Sequence, residues 1–180
     1  MADITTWNID PTHSSIELAI KHMMITTVRG RFKEFSGTIT ANENNPDQSS
    51  VEVEIKAASL DTGSADRDAH LRSADFLDAD TYPTLTFRST KVEGAMKVEG
   101  DKFTVTGQLT IRGKSVEVTL ECEYEGMGKD PWGGTRASAR ATTEIDRRDW
   151  GLQWNQALET GGLLVANRLK IAIEAQAIKQ

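Results

Sequence analysis

The chain has 180 residues and a mass of 19.8 kDa, enough for one domain with a sizeable core and too few for two comfortable ones. It carries 21 Lys and Arg against 27 Asp and Glu, a net charge of −6, with 8 basic and 14 acidic residues in the first ninety and 13 of each thereafter. That balance argues against a protein that coats nucleic-acid phosphates or anionic headgroups, both of which select a basic surface. With 38% hydrophobic residues and a mean hydropathy of −0.44, the composition is that of a soluble globular chain.

The amino-terminal MADITTWNID has Asp3 where a signal peptide carries basic residues, and no apolar run follows. Nowhere do 18 apolar residues succeed one another, which leaves no transmembrane helix. As it stands the sequence predicts a cytoplasmic protein, or a periplasmic one if a leader has been trimmed.

Period-two alternation dominates the chain. Ile16, Leu18, Ile20 and His22 share one face of a strand whose other face carries Glu17, Ala19 and Lys21. A second strand is expected near 28–40, and Val51, Val53 and Ile55 alternate with Glu52, Glu54 and Lys56 in a third. Residues 61–80 break the pattern: they are rich in Ala, Asp and Arg, with Asp66/His70 and Asp68/Arg72 at helical i,i+4 spacing and Ser64 placed as an N-cap. Strands resume near 84–92 and over Phe103–Ile111, then at Val116–Tyr124 after the Arg112-Gly113-Lys114 link of a hairpin. Two more follow near 135–145 and 163–178. The four prolines fall at the ends of these runs or between them.

Eight strands with one apolar face each make an antiparallel sheet with a dry side. Closing it into a barrel removes the edges, with a two-sheet sandwich as the alternative. An eight-stranded barrel is either just filled by its side chains or just able to hold one small ligand. Ala137, Ala139 and Ala141 on one face, and Gly107 in mid-strand, predict an under-filled interior. Ile16, Leu18, Val53, Leu109, Val118, Leu169 and Ile171 would line it.

Polar candidates are few. His13, His22 and His70 match no compact metal motif, so no metal and no cofactor are expected. Cys122, between Leu120 and Tyr124 on an alternating strand, reads as a small buried hydrophobe. Arg67, Asp68 and Arg72 are expected to satisfy one another as an ion-pair cluster, leaving Arg67 or His70 to meet a ligand head group at the lid. Leu71 should point into the barrel, Trp150 should plug it, and Phe35, Phe76, Tyr82 and Phe87 pack the core or touch a ligand tail.

The runs WNIDPTHSSIELAIKH (7–22), VRGRFKEFSGTI (28–39), RDAHLRSADFLDADTYPTLTF (67–87), GQLTIRGKSVEVTL (107–120) and IDRRDWGL (145–152) together resemble the YceI-like family of bacterial polyisoprenoid-binding proteins. The resemblance implies an all-β fold: one eight-stranded antiparallel lipocalin-like barrel over residues 1–180, with a helical lid over about 64–77. It also implies that the barrel binds a long apolar lipid such as a polyprenol, quinone or fatty amide, as carrier, store or sensor and not as an enzyme. Ile16, Leu18, Ile20, His22, Phe35, Val53, Arg67, His70, Leu71, Phe76, Tyr82, Phe87, Leu109, Val118, Ala139 and Trp150 are the expected ligand contacts. An enzyme acting on an apolar substrate in the same cavity and a packed interaction module stay open beside it, as does a homodimer.

Overall fold

Alternating apolar side chains need a common dry side, and the chain provides it by curling its strands around a single axis. The computed structural model describes residues 3–159 and 161–180. Its strands are β1 (Ile4–Ile9), β2 (Ser15–His22), β3 (Thr26–Phe32), β4 (Phe35–Asn42), β5 (Ser50–Lys56), β6 (Leu60–Asp61), β7 (Thr84–Gly94), β8 (Lys102–Ile111), β9 (Lys114–Lys129), β10 (Thr135–Asp146) and β11 (Val165–Lys179). All pairings are antiparallel, and the sheet closes because the long β11 pairs with β2 along its first part and with β1 at its end.

Eleven segments occupy eight positions because three strands are bent. β1 and β2 run along the same side of β11, kinked at Asp10–Ser14. β3 and β4 pair with β2 and β1 respectively, and β6 and β5 follow the same bend. The expected strand at 28–40 is thus two segments broken at Lys33-Glu34, where the Lys33 amide turns to the Ser59 carbonyl at 3.1 Å. The signal is in the sequence: Phe32 and Phe35, both inward, are three residues apart where an unbroken strand needs two. β1 lies outside the expected strands and is an addition, its inward face carrying only Trp7 and Ile9 before Asp10-Pro11 ends it.

The kink is stapled by charge. Asp10 accepts from the Thr12 amide and hydroxyl and from His13, and Arg136 of β10 reaches it at 2.8 Å while also bonding Asp130 at 2.9 Å. The Thr12 hydroxyl, His13 and Arg136 hold the Asp10 carboxyl far below the usual carboxylate range. At the opposite end, Arg112 and Gly113 both take positive φ and form a two-residue hairpin between β8 and β9. α1 (Ala65–Arg72) caps that end, with Ser64 at its N-cap as expected, and 73–77 continue the lid as turns rather than as helix.

Candidate functional site

The inward faces enclose a cavity of about 780 Å³ with lining residues along the length of the barrel, inside the range of small-molecule sites. Ala137, Ala139 and Ala141 do face inward, and their strand is paired so that Ala137 and Ala139 sit beside Ala177 and Ala175 of β11. Four small side chains on two adjacent strands leave the space. Gly107 does not contribute, contrary to expectation: a Cβ there would lie 2.6 Å from the Phe87 ring and 2.5 Å from the Arg88 carbonyl oxygen. Phe87 already crosses that part of the wall.

Fifteen of the sixteen expected contact residues line the cavity: Ile16, Leu18, Ile20, His22, Phe35, Val53, Arg67, His70, Leu71, Phe76, Phe87, Leu109, Val118, Ala139 and Trp150. Tyr82 does not. It precedes Pro83 on the outside of the wall, where its ring covers Gly113, the hairpin residue with no side chain of its own.

The lid is locked by packing. Leu71 turns inward, and His70 sits edge-on to Phe76 and to Trp154 with centroids 5.1 and 4.6 Å away. His70 bonds Asp75 at 2.9 Å and not Asp66, because the chain folds back after Ser73 and brings Asp75 to the ring. The ion-pair cluster expected among Arg67, Asp68 and Arg72 is replaced by convergence on Thr62. Buried Asp68 accepts from the Thr62 amide at 2.9 Å, and Arg67 donates to the Thr62 hydroxyl and carbonyl at 2.7 Å.

Arg147, on the short turn Arg147–Trp150 that follows β10, is the most buried cation among the described residues at 3% exposure. It lines the cavity, yet its guanidinium is engaged by the carbonyls of Ala166, Leu152 and Trp154 at 2.8–2.9 Å. Burial pushes its pKa down, but a guanidinium keeps its proton in proteins. Its role is to tie 152–166 across the end of the barrel. Beside it Trp150, also 3% exposed, donates its indole N–H to the Leu109 carbonyl at 2.8 Å and fills the barrel end beneath the lid, in one cluster with Leu71 and Leu77. Trp7 and Trp154 were not anticipated as lining residues; they fall outside the alternating runs, so only the fold shows where they point. Cys122 is buried against Phe87, Val92, Phe103 and Val105, and burial pushes its thiol up to about 12. Among the described residues no group of three His, Cys, Asp or Glu side chains is placed to hold a metal ion, and no helix is long and apolar enough to cross a membrane.

A closed eight-position antiparallel barrel around an apolar cavity, closed at one end by Trp150 and one short helix packed together, defines a lipocalin-like small-molecule binding architecture. Comparison with known proteins places it more narrowly. Residues 7–177 match the YceI-like domain, and the chain belongs to that family. Protein YceI of Escherichia coli O157:H7 is 43% identical over 141 residues, 78% of this chain and 72% of that one. The Campylobacter jejuni YCEI protein superposes with a TM-score of 0.74 at 30% identity, covering 89% of this chain and 90% of the other. A Saccharophagus degradans protein described as a polyisoprenoid binding domain shares the fold at a TM-score of 0.70 and 13% identity, over 98% of each chain.

Proposed function

We propose that the barrel binds a long apolar, isoprenoid-like lipid such as a polyprenol, a quinone or a fatty amide, and serves as its carrier. The observation that supports this is the apolar cavity of about 780 Å³ beside the four-alanine patch. At about 30 Å³ per water-sized group, that space takes about 26 chain atoms, or roughly five isoprene units. Each buried CH₂ contributes about 0.8 kcal/mol, so a chain of this length binds tightly even after its own ordering is subtracted. The barrel of the Saccharophagus degradans domain, described as polyisoprenoid-binding, agrees with this reading.

Binding fits the site better than turnover because the polar side chains of the lid and of the turn after β10 that reach the cavity are already engaged. Arg147 is held by carbonyls, Arg67 by Thr62 and His70 by Asp75. The test is organic extraction of the purified protein with mass spectrometry, together with tryptophan quenching by added quinone. Trp7, Trp150 and Trp154 line the cavity, whereas Trp132 is 85% exposed on the loop between β9 and β10 and does not. In a Trp132→Phe background, a bound quinone should therefore quench most of the emission. Absence of any copurifying prenyl or acyl species, with no quenching, refutes the proposal.

A further inference from the structure

The β2–β3 hairpin turns through Met23, Met24 and Ile25, and both methionines take positive φ, at 52° and 62°. Left-handed backbone is disfavoured for side chains such as these and is filled at little cost by Gly, Asn or Asp. The strained turn nonetheless carries three apolar residues into solvent, with Met24 64% and Ile25 77% exposed. Leu163 is exposed in the neighbouring 155–164 loop, which is held to the turn by a 2.8 Å bond from the Met23 amide to the Leu164 carbonyl. Directly behind this tip, His22, Leu164 and Val165 line the cavity.

The wall below the tip is basic. Lys170, Ala19 and Arg29 are register partners in one row across β11, β2 and β3, and Lys21 lies one outward position nearer the tip. All three cations are exposed, and none forms an ion pair among the described residues. Segments 18–33 and 163–173 contain six basic residues and no acidic one, so the rest of the chain carries a net charge of −12. Lys33 is paired with Asp61 of β6, and Arg168 with Glu144, the β10 register partner of Lys170. That leaves Lys21, Arg29, Arg31 and Lys170 as the four without an ion pair among the described residues. The whole-chain charge that argued against anionic headgroups conceals a face of the opposite sign.

We infer that this end docks on an anionic bilayer, with Met23, Met24, Ile25 and Leu163 entering the headgroup boundary and Lys21, Arg29 and Lys170 meeting lipid phosphates. An apolar tip flanked by cations is the composition of an interfacial anchor. Its place at the cavity rim gives a lipid a route between leaflet and barrel that avoids water. The inference rests on reading the barrel as a lipid carrier, and its test separates the two.

The experiment is cosedimentation with vesicles of phosphatidylcholine alone and with added phosphatidylglycerol. In parallel, quenching by a short-chain quinone is measured without vesicles. Wild type should bind the anionic vesicles and release them at high salt. Neutralising Lys21, Arg29 and Lys170 to Gln should weaken that binding by about 10²-fold, at roughly fivefold per cation. The Met23→Asn/Met24→Asp pair should abolish it while relieving the turn, so that Tm holds or rises by about 2–4 °C and quinone quenching is unchanged. Vesicle binding by the tip variant at wild-type strength overturns the docking surface. So does failure of wild type to bind anionic vesicles, or a dimer that dissociates in the tip variant with no vesicle binding by either. Quenching that persists in those cases leaves the carrier reading standing.

Discussion

If the alanine patch creates the ligand space, one large side chain placed there should shorten the ligand that fits without harming the fold. Ala139 lies on the inward face of β10, with backbone partners Tyr124 on β9 and Ala175 on β11. Ala139→Phe adds six ring atoms, which at about 30 Å³ each take roughly 180 Å³, close to a quarter of the 780 Å³ cavity. A ligand that fills the wild-type barrel must then withdraw about six chain atoms. At about 0.8 kcal/mol each that is close to 5 kcal/mol, a loss of roughly 10³- to 10⁴-fold in affinity. A ligand of three isoprene units should keep its affinity because it has room to spare. The assay is a length series of prenols titrated against tryptophan emission. Affinity should climb with length to about five units in wild type and level off about one unit earlier in the variant. Tm should not fall, since the ring enters empty space. An identical length dependence in both proteins refutes the reasoning. So does a Tm loss equivalent to about 1–3 kcal/mol, which is the signature of overpacking.

The opposite outcome is expected at Gly107, where Gly107→Ala drives a Cβ against the Arg88 carbonyl oxygen and the Phe87 ring. Because one of those neighbours is backbone, thermal unfolding should show a loss of about 1–3 kcal/mol, or several degrees. Cys122, with its thiol pushed up to about 12 from 9.0, should react with a disulfide reagent at pH 8 about 10³-fold more slowly than an exposed cysteine; prompt labelling of the folded protein would show that burial does not govern this thiol. Acid sensitivity follows from carboxyls held below their unfolded values: Asp10 by Thr12, His13 and Arg136, Asp130 by Arg136, and Asp146, at about 2, by Arg148. Their folded pKa values are depressed, so the stability they supply is complete above about pH 5 and is lost as pH falls from about 4 toward 2. Urea midpoints should be flat at neutral pH and drop over that window, with a smaller drop in Asp146→Asn.

The barrel was legible because alternation specifies the wall one residue at a time, and β8 with β9 shows how directly. Phe103, Val105, Gly107, Leu109 and Ile111 face inward opposite Cys122, Leu120, Val118, Val116 and Lys114, in the register that a two-residue turn at Arg112-Gly113 imposes. β1 was illegible for the converse reason. Its inward face offers only two apolar side chains, and its place in the wall comes from partners at 38–42 and 177–179, far away in sequence. Arg147 stayed hidden because a guanidinium satisfied by carbonyls leaves no acidic partner to notice in the sequence.

The cavity depends on a relation that alternation does not express. Gly107 and Ala139 look alike in sequence, each a small residue on an inward face, yet Phe87 fills the space over one and the other borders the void. A single small residue can be covered by one ring from the next strand. A patch two strands wide is harder to cover, and such a patch exists only if small residues on neighbouring strands coincide in register. Ala139 meets Ala175 and Ala137 meets Ala177 because β10 and β11 pair without interruption from Arg136 to Asp146. A one-residue slip would set Ala139 against Gln176 or Glu174 and point one strand's alanines at solvent. The ligand space is therefore a property of the β10–β11 register as much as of composition, and the length of that pairing is what secures it.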